Sequence, residues 1–212
     1  SRLTLFESGE GNLLLSYFDT RGRVRQSVYD ATSDSSRNNT FEQWIPDGVR
    51  TCLDLSQERS AIRLEEKEEV RLGASWTLEA WFYWPLPDLN QPANTLFAGK
   101  TDRHVLVTIS GRQGEPTVGQ LGTEIGGSFS PSGYDFAAAP LTDGWHHLAV
   151  VGGTRGKAGE EAATPITCFY IDGKPVGDVD VRSSDKLTVI GNHPEGMQPF
   201  GKLAEIRLWN VA

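Results

Sequence analysis

The sequence predicts an all-β fold, a two-sheet antiparallel β-sandwich, on three observations. Leu148–Val151 and Thr167–Ile171 are runs of branched and aromatic residues, and the second ends at Asp172-Gly173, a dipeptide suited to the φ > 0 positions of a tight turn. Pro175-Val176 runs on directly, so two hairpins stand in tandem. Apolar residues recur with period two, the pattern of half-buried strands. Strand-like segments follow one another at roughly 8–12 residue spacing, with no convincing amphipathic helix between them.

Taken in order, Leu13–Phe18 and Val24–Tyr29 read as a hairpin around Thr20-Arg21-Gly22, and Ala31–Thr40 as a polar loop. Residues 1–45 are expected to be an N-terminal hairpin or extension packed on a sandwich formed by 46–212. In Thr51–Leu55 and Ala61–Leu64, Leu53 and Leu55 share one face, as do Ile62 and Leu64. The acidic run Glu65–Glu69 is a solvated loop or a single helical turn. Trp76–Trp84 is the most apolar strand: Trp76, Leu78, Ala80, Phe82 and Trp84 fall on one side, and Thr77, Glu79, Trp81 and Tyr83 on the other. Pro85 and Pro87 stop it. Thr95–Ala98 and Val105–Ile109 follow, the latter turning Val105, Val107 and Ile109 inward. Gly111–Pro140 is rich in Gly, Ser and Pro, with short strands expected at Thr117–Leu121 and Tyr134–Ala137 and rim loops elsewhere. Leu187–Ile190 and Leu203–Leu208 complete the sheets, with Ala204, Ile206 and Leu208 toward the core.

Four stretches identify a family in combination. Asp143–Val150 (Asp-Gly-Trp-His-His-Leu-Ala-Val) and Phe169–Lys174 (Phe-Tyr-Ile-Asp-Gly-Lys) are preceded by Trp76–Phe82 and followed by Gly201–Asn210. In this order and spacing, over about Cys52 to Ala212, they resemble the laminin G-like, concanavalin A-like jelly rolls. The resemblance implies a laminin G-like jelly roll and leaves function open, because that fold hosts lectins, adhesion modules and glycosidases. It also implies Ca²⁺ at the sandwich rim. Asp102 stands at the matching position before a middle strand, Asn192 offers a second oxygen, and Asp135 is a further contributor. The alternative reading makes Asp102 an ordinary turn residue.

The net charge of −8 opposes nucleic-acid binding, which draws on clustered Lys and Arg. No run approaches the ~20 apolar residues of a membrane helix. The chain starts without Met, as an excised domain or a mature fragment would. Cys52 and Cys168, the only cysteines, form one bridge or remain separate thiols. Asn38-Asn39-Thr40 fits the glycosylation sequon.

His146 and His147 are adjacent on a strand and point to opposite faces, so they cannot chelate one ion and are expected to pack. A glucanase of this superfamily carries Glu-x-Asp-x-x-Glu on one strand; that string is absent, and the chain is expected to be no enzyme. Trp81 and Tyr83 suit stacking on a pyranose or packing under a loop, and Tyr134 joins them as a ligand-binding candidate. The expected function is a non-catalytic, extracellular or cell-surface recognition module that binds a glycan or an extracellular protein through rim loops, with Ca²⁺ as cofactor. The alternatives are a passive structural domain, contacting other domains of a larger chain, and a divergent glycoside hydrolase.

Overall fold

A computed structural model describes residues 3–8, 12–18, 24–30, 44–47, 50–57, 60–64, 70–88, 92–108, 119–156, 164–193 and 198–209, as backbone alone up to Thr51. The expected sequon, the acidic run 65–69, the loop 31–40 and Ile109 lie outside these residues. The elements are β1 (Leu3–Ser8), β2 (Asn12–Phe18), β3 (Val24–Asp30), β4 (Trp44–Asp47), β5 (Arg50–Leu55), β6 (Ile62–Arg63), β7 (Val70–Arg71), β8 (Trp76–Trp84), β9 (Ala93–Ala98) and β10 (Arg103–Thr108). They continue with β11 (Gln120–Ile125), β12 (Ser128–Asp135), β13 (Gly144–Arg155), β14 (Thr164–Ile171), β15 (Lys174–Val179), β16 (Lys186–Leu187), β17 (Val189–Ile190), β18 (Gln198–Pro199) and β19 (Gly201–Trp209). No helix occurs among the described residues.

One large sheet runs β12-β11-β10-β9-β17-β6, with β18 paired parallel to β9; the other runs β15-β14-β13-β8-β19-β5-β4. Strands β1-β2-β3 form a separate antiparallel sheet, whose first strand runs beside β19. The two large sheets enclose one core in which Trp76, Phe82, Phe97, Phe169 and Phe200 are fully buried. The period-two expectation holds along β8, where Trp76, Leu78, Ala80 and Phe82 are buried and Thr77, Glu79, Trp81 and Tyr83 are partly exposed. Leu53, Leu55, Ile62, Leu64, Val105 and Val107 also enter the core as expected.

Two details differ from the sequence expectation. The short strands expected at Thr117–Leu121 and Tyr134–Ala137 are instead a full hairpin, β11–β12, turning at Gly126-Gly127, whose positive φ values glycine adopts without strain. Leu203, not assigned to the core by the sequence, pairs with Phe82 and joins it, while Ala204 is buried but pairs with Trp81 on the other side of the strand. The register then shifts before Arg207, with Glu205 at φ 47°, so Ile206 and Leu208 return to the core. Neither cysteine is in a disulfide. Cys52 is on β5 and Cys168 on β14, four strand steps apart in one sheet, or about 19 Å at the usual spacing, so they cannot bridge.

Trp76 lies against β13 and donates from Nε1 to the Ser183 carbonyl at 3.1 Å. A Cβ on Gly152 would sit inside the van der Waals radius of the Trp76 indole, so the strand requires glycine there. Gly152→Ala is expected to destabilise the fold by about 1–3 kcal/mol, the usual range for overpacking. Chemical denaturation checks this, and an unchanged midpoint would show that the indole can move aside.

Candidate ligand-binding face

The outer side of the β15-to-β4 sheet is built from cross-strand pairs, which place residues side by side on one surface. On β8, Tyr83 pairs with Trp145, Trp81 with His147, Glu79 with Ala149 and Thr77 with Val151 of β13. On the other flank, Trp81 pairs with Ala204, Glu79 with Arg207 and Thr77 with Trp209 of β19. Tyr170 of β14 pairs with Ala149. Six residues separate Tyr83 from Thr77 and three strand steps separate β14 from β19, giving a patch of about 20 by 14 Å. Trp81, Tyr83, Trp145, His147, Tyr170 and Trp209 are all partly exposed on it.

The rings interlock. Tyr83 meets Trp145 edge-on at 5.6 Å, Trp81 and His147 tilt at 5.3 Å, and Lys202 Nζ lies 5.0 Å from the Tyr83 ring centroid. Glu79 is the polar hub. Its carboxylate accepts from Trp209 Nε1 at 2.8 Å and lies 3.3 Å from His147 Nε2 and 3.6 Å from Arg207 Nη1. Arg207 in turn donates to Glu205 at 2.7 Å.

The sequence candidates fall in different places. Trp81 and Tyr83 share this face. Tyr134 belongs to β12 in the opposite sheet, where its ring stands edge-on to Phe136 at 4.9 Å and its hydroxyl donates to the Ala139 carbonyl at 2.8 Å. Burial first, then the Asp172 charge, raises its phenol pKa. Phe136 stacks on Trp84 at 4.9 Å. The other face residues were missed because no single segment holds them; only the register of β13, β8 and β19 brings Trp145, His147, Glu79, Arg207 and Trp209 together.

The calcium candidates are engaged by protein donors. Asp102, 7% exposed, accepts from Ser183 Oγ at 2.7 Å and from the Gly126 amide at 3.2 Å. Asp135 accepts from the Ala137 and Ala138 amides at 2.7 and 3.3 Å, capping its own turn. Fully buried Asn192 accepts from the His193 amide at 2.7 Å. No three His, Cys, Asp or Glu residues among the described residues are placed to hold a metal ion. As they stand, these side chains do not fit a calcium cage.

Two histidines close the corners of the sandwich. His146 Nδ1 lies 2.7 Å from Asp172 Oδ2 and its Nε2 lies 2.8 Å from the Thr142 carbonyl. Asp172 also accepts from the His147 amide and donates its own amide to the His147 carbonyl, each at 2.9 Å. Burial pushes the Asp172 pKa up, but the hydrogen bonds from His146 and the His147 amide outweigh it and hold the carboxyl below its ordinary value. His104 is fully buried and neither ring nitrogen makes a well-formed hydrogen bond. Burial pulls its pKa down to about 4, against the opposing effect of Asp102, Asp185 and the Lys186 backbone.

Residues 56–212 match the family model of the concanavalin A-like lectin/glucanases superfamily, laminin G type, and the chain belongs to that family. A solved structure, the crystal structure of the binding domain of Paraclostridial Mosquitocidal Protein 1, is similar at a TM-score of 0.53 and 13% identity. The match covers 99% of this chain and 48% of that one, so the chain spans about half the length of that neighbour. The likeness extends to the fold alone. No curated protein matches the sequence.

The His104 environment sets a pH dependence. The unfolded chain takes up the proton near the ordinary 6.5 and the native chain only near 4, so stability falls as pH drops through that interval. Between pH 7 and 4.5 the loss from this group is about 2–3 kcal/mol. Denaturant titrations at the two pH values should show a His104→Phe chain losing less than the wild type by that amount. Parallel losses in both chains would contradict the assignment.

Proposed function

We propose that the chain is a non-catalytic recognition module that binds glycan through the outer face of the β15-to-β4 sheet, in an extracellular or cell-surface setting. The observation that supports this is the row of partly exposed rings, Trp81, Tyr83, Trp145 and Trp209, interleaved with His147, Glu79 and Arg207 on one rigid sheet. Ring faces suit the C–H faces of pyranoses, and the polar groups between them suit the hydroxyls. Aromatic patches of this extent on a soluble domain commonly mark binding sites. Membership of the lectin/glucanases superfamily fits the same reading. It differs from recognition through rim loops in giving the sheet face the main role.

Hydrolysis by the two-carboxylate route needs an acid and a second carboxylate across the scissile bond, about 5–9.5 Å apart. Glu79 is engaged by Trp209, His147 and Arg207, and the carboxylate reached through Arg207, Glu205, is itself ion-paired. These engagements support binding over catalysis. A second reading, contact with a neighbouring domain of a larger chain, draws on the similar solved chain being about twice as long.

The test is calorimetric titration with glycans selected on an array, in Ca²⁺ and in EGTA. Trp81→Ala and Tyr83→Ala should each weaken binding by at least about tenfold, about 1.4 kcal/mol, with little change in unfolding midpoint. Binding should persist in EGTA, since the proposed face does not involve Asp102. Affinity unmoved by both substitutions would overturn the placement, and an array empty in both conditions would favour the neighbouring-domain reading.

A further inference from the structure

Residues 136–143 carry the chain from β12 in one sheet to β13 in the other, as a strap across the end of the sandwich. The first half is anchored several times over. Asp135 caps it through the Ala137 and Ala138 amides, its carbonyl accepts from the Ala139 amide at 2.9 Å, and Tyr134 Oη bonds the Ala139 carbonyl. The second half, 140–143, is held by Leu141 packing on the core and by the bond between His146 Nε2 and the Thr142 carbonyl. It leads directly into Gly144-Trp145, the upper row of the aromatic face.

His146 cannot make its two bonds in every protonation state. Its partners, a carboxylate oxygen and a backbone carbonyl, are both acceptors, and a neutral imidazole has one N–H while the imidazolium has two. When the ring is neutral, one nitrogen lone pair faces an oxygen at under 3 Å, and one bond must open. The charged Asp172 carboxylate is the stronger acceptor and retains the N–H. The bond to the strap is the one that yields.

We propose that His146 is a proton-dependent clamp on the strap: as an imidazolium it pins Thr142 to the Asp172-Gly173 turn, and as a neutral ring it releases residues 140–143. Asp172, from the β14–β15 turn, is held ionised by its hydrogen bonds. Strand β8 presents the Phe82 ring, 6.0 Å away. Tyr134 of β12 feels the Asp172 charge but titrates well above neutrality. His147 turns to Glu79 on the far side of the sheet. Asp143 and Lys174 flank the corner on the surface. The inference concerns the free chain and stands whatever the aromatic face binds.

The test is backbone ¹⁵N relaxation NMR of the full chain at pH 5.5 and 8.0. In the wild type, order parameters at 141–143 should fall on going to pH 8.0, with 137–139 and the β13 residues 144–145 unchanged. His146→Phe, which has no donor for either partner, should leave the strap open at both pH values. Asp172→Asn is a variant at a partly exposed position. Its amide can donate to Nδ1 and leave the single N–H at Nε2, so the strap should stay closed at both. Order parameters at 141–143 that are flat with pH in the wild type, or the wild-type pH dependence persisting in either variant, overturn the proposal.

Discussion

Asp172 ties the most important strands of this molecule together. Its backbone sits in the left-handed region at φ 50°, and its carboxylate lies against the start of β13. There one oxygen takes the His147 amide and the other the His146 ring, while its own amide returns to the His147 carbonyl. Three contacts from one turn residue fix where β14 stands against β13. A one-residue slip in a sheet sends every side chain to the wrong face. Within the sheet so pinned, Leu148 and Val150 enter the core, and the pairing of β13 with β8 brings Trp145 and His147 out beside Tyr83 and Trp81.

The opposite flank reaches the same surface by a different device. Strand β19 supplies Leu203, Ile206 and Leu208 to the core, a spacing that simple alternation cannot give. The irregularity at Glu205 absorbs the odd residue, and the φ of 47° is a local strain that β-bulges near binding surfaces often carry. Beyond it, Arg207 and Trp209 land beside Glu79 and Thr77. Glu79 then holds His147, Arg207 and Trp209 in one polar network spanning three strands. The rings of the face are thus held by neighbours, which lowers the entropy cost of presenting them to a ligand.

Much of this was legible in the chain. The alternation of Trp76–Trp84 marked its outer residues correctly, including Trp81 and Tyr83, because a central strand obeys period two strictly. The opposite orientation of His146 and His147 followed from the same rule. What could not be read is what depends on other strands. Nothing local shows that Ala204 opposes Trp81, since the bulge at Glu205 is a tertiary compromise. The β11–β12 hairpin was obscured by its Gly, Ser and Pro content, although Gly126-Gly127 was a usable turn signal. Asp102 looks in sequence like a rim ligand, and only the fold brings it against Ser183 and Gly126 from distant segments.

The central claim is that the outer face of the β15-to-β4 sheet, and not the loops at its rim, meets the ligand. Backbone amide chemical-shift mapping of the full chain during titration with a bound glycan tests this most directly. The account predicts that the largest perturbations fall on Glu79–Tyr83, Trp145–His147 and Arg207–Trp209. Perturbations confined to residues 99–103 and 183–193, with the sheet face silent, would contradict it.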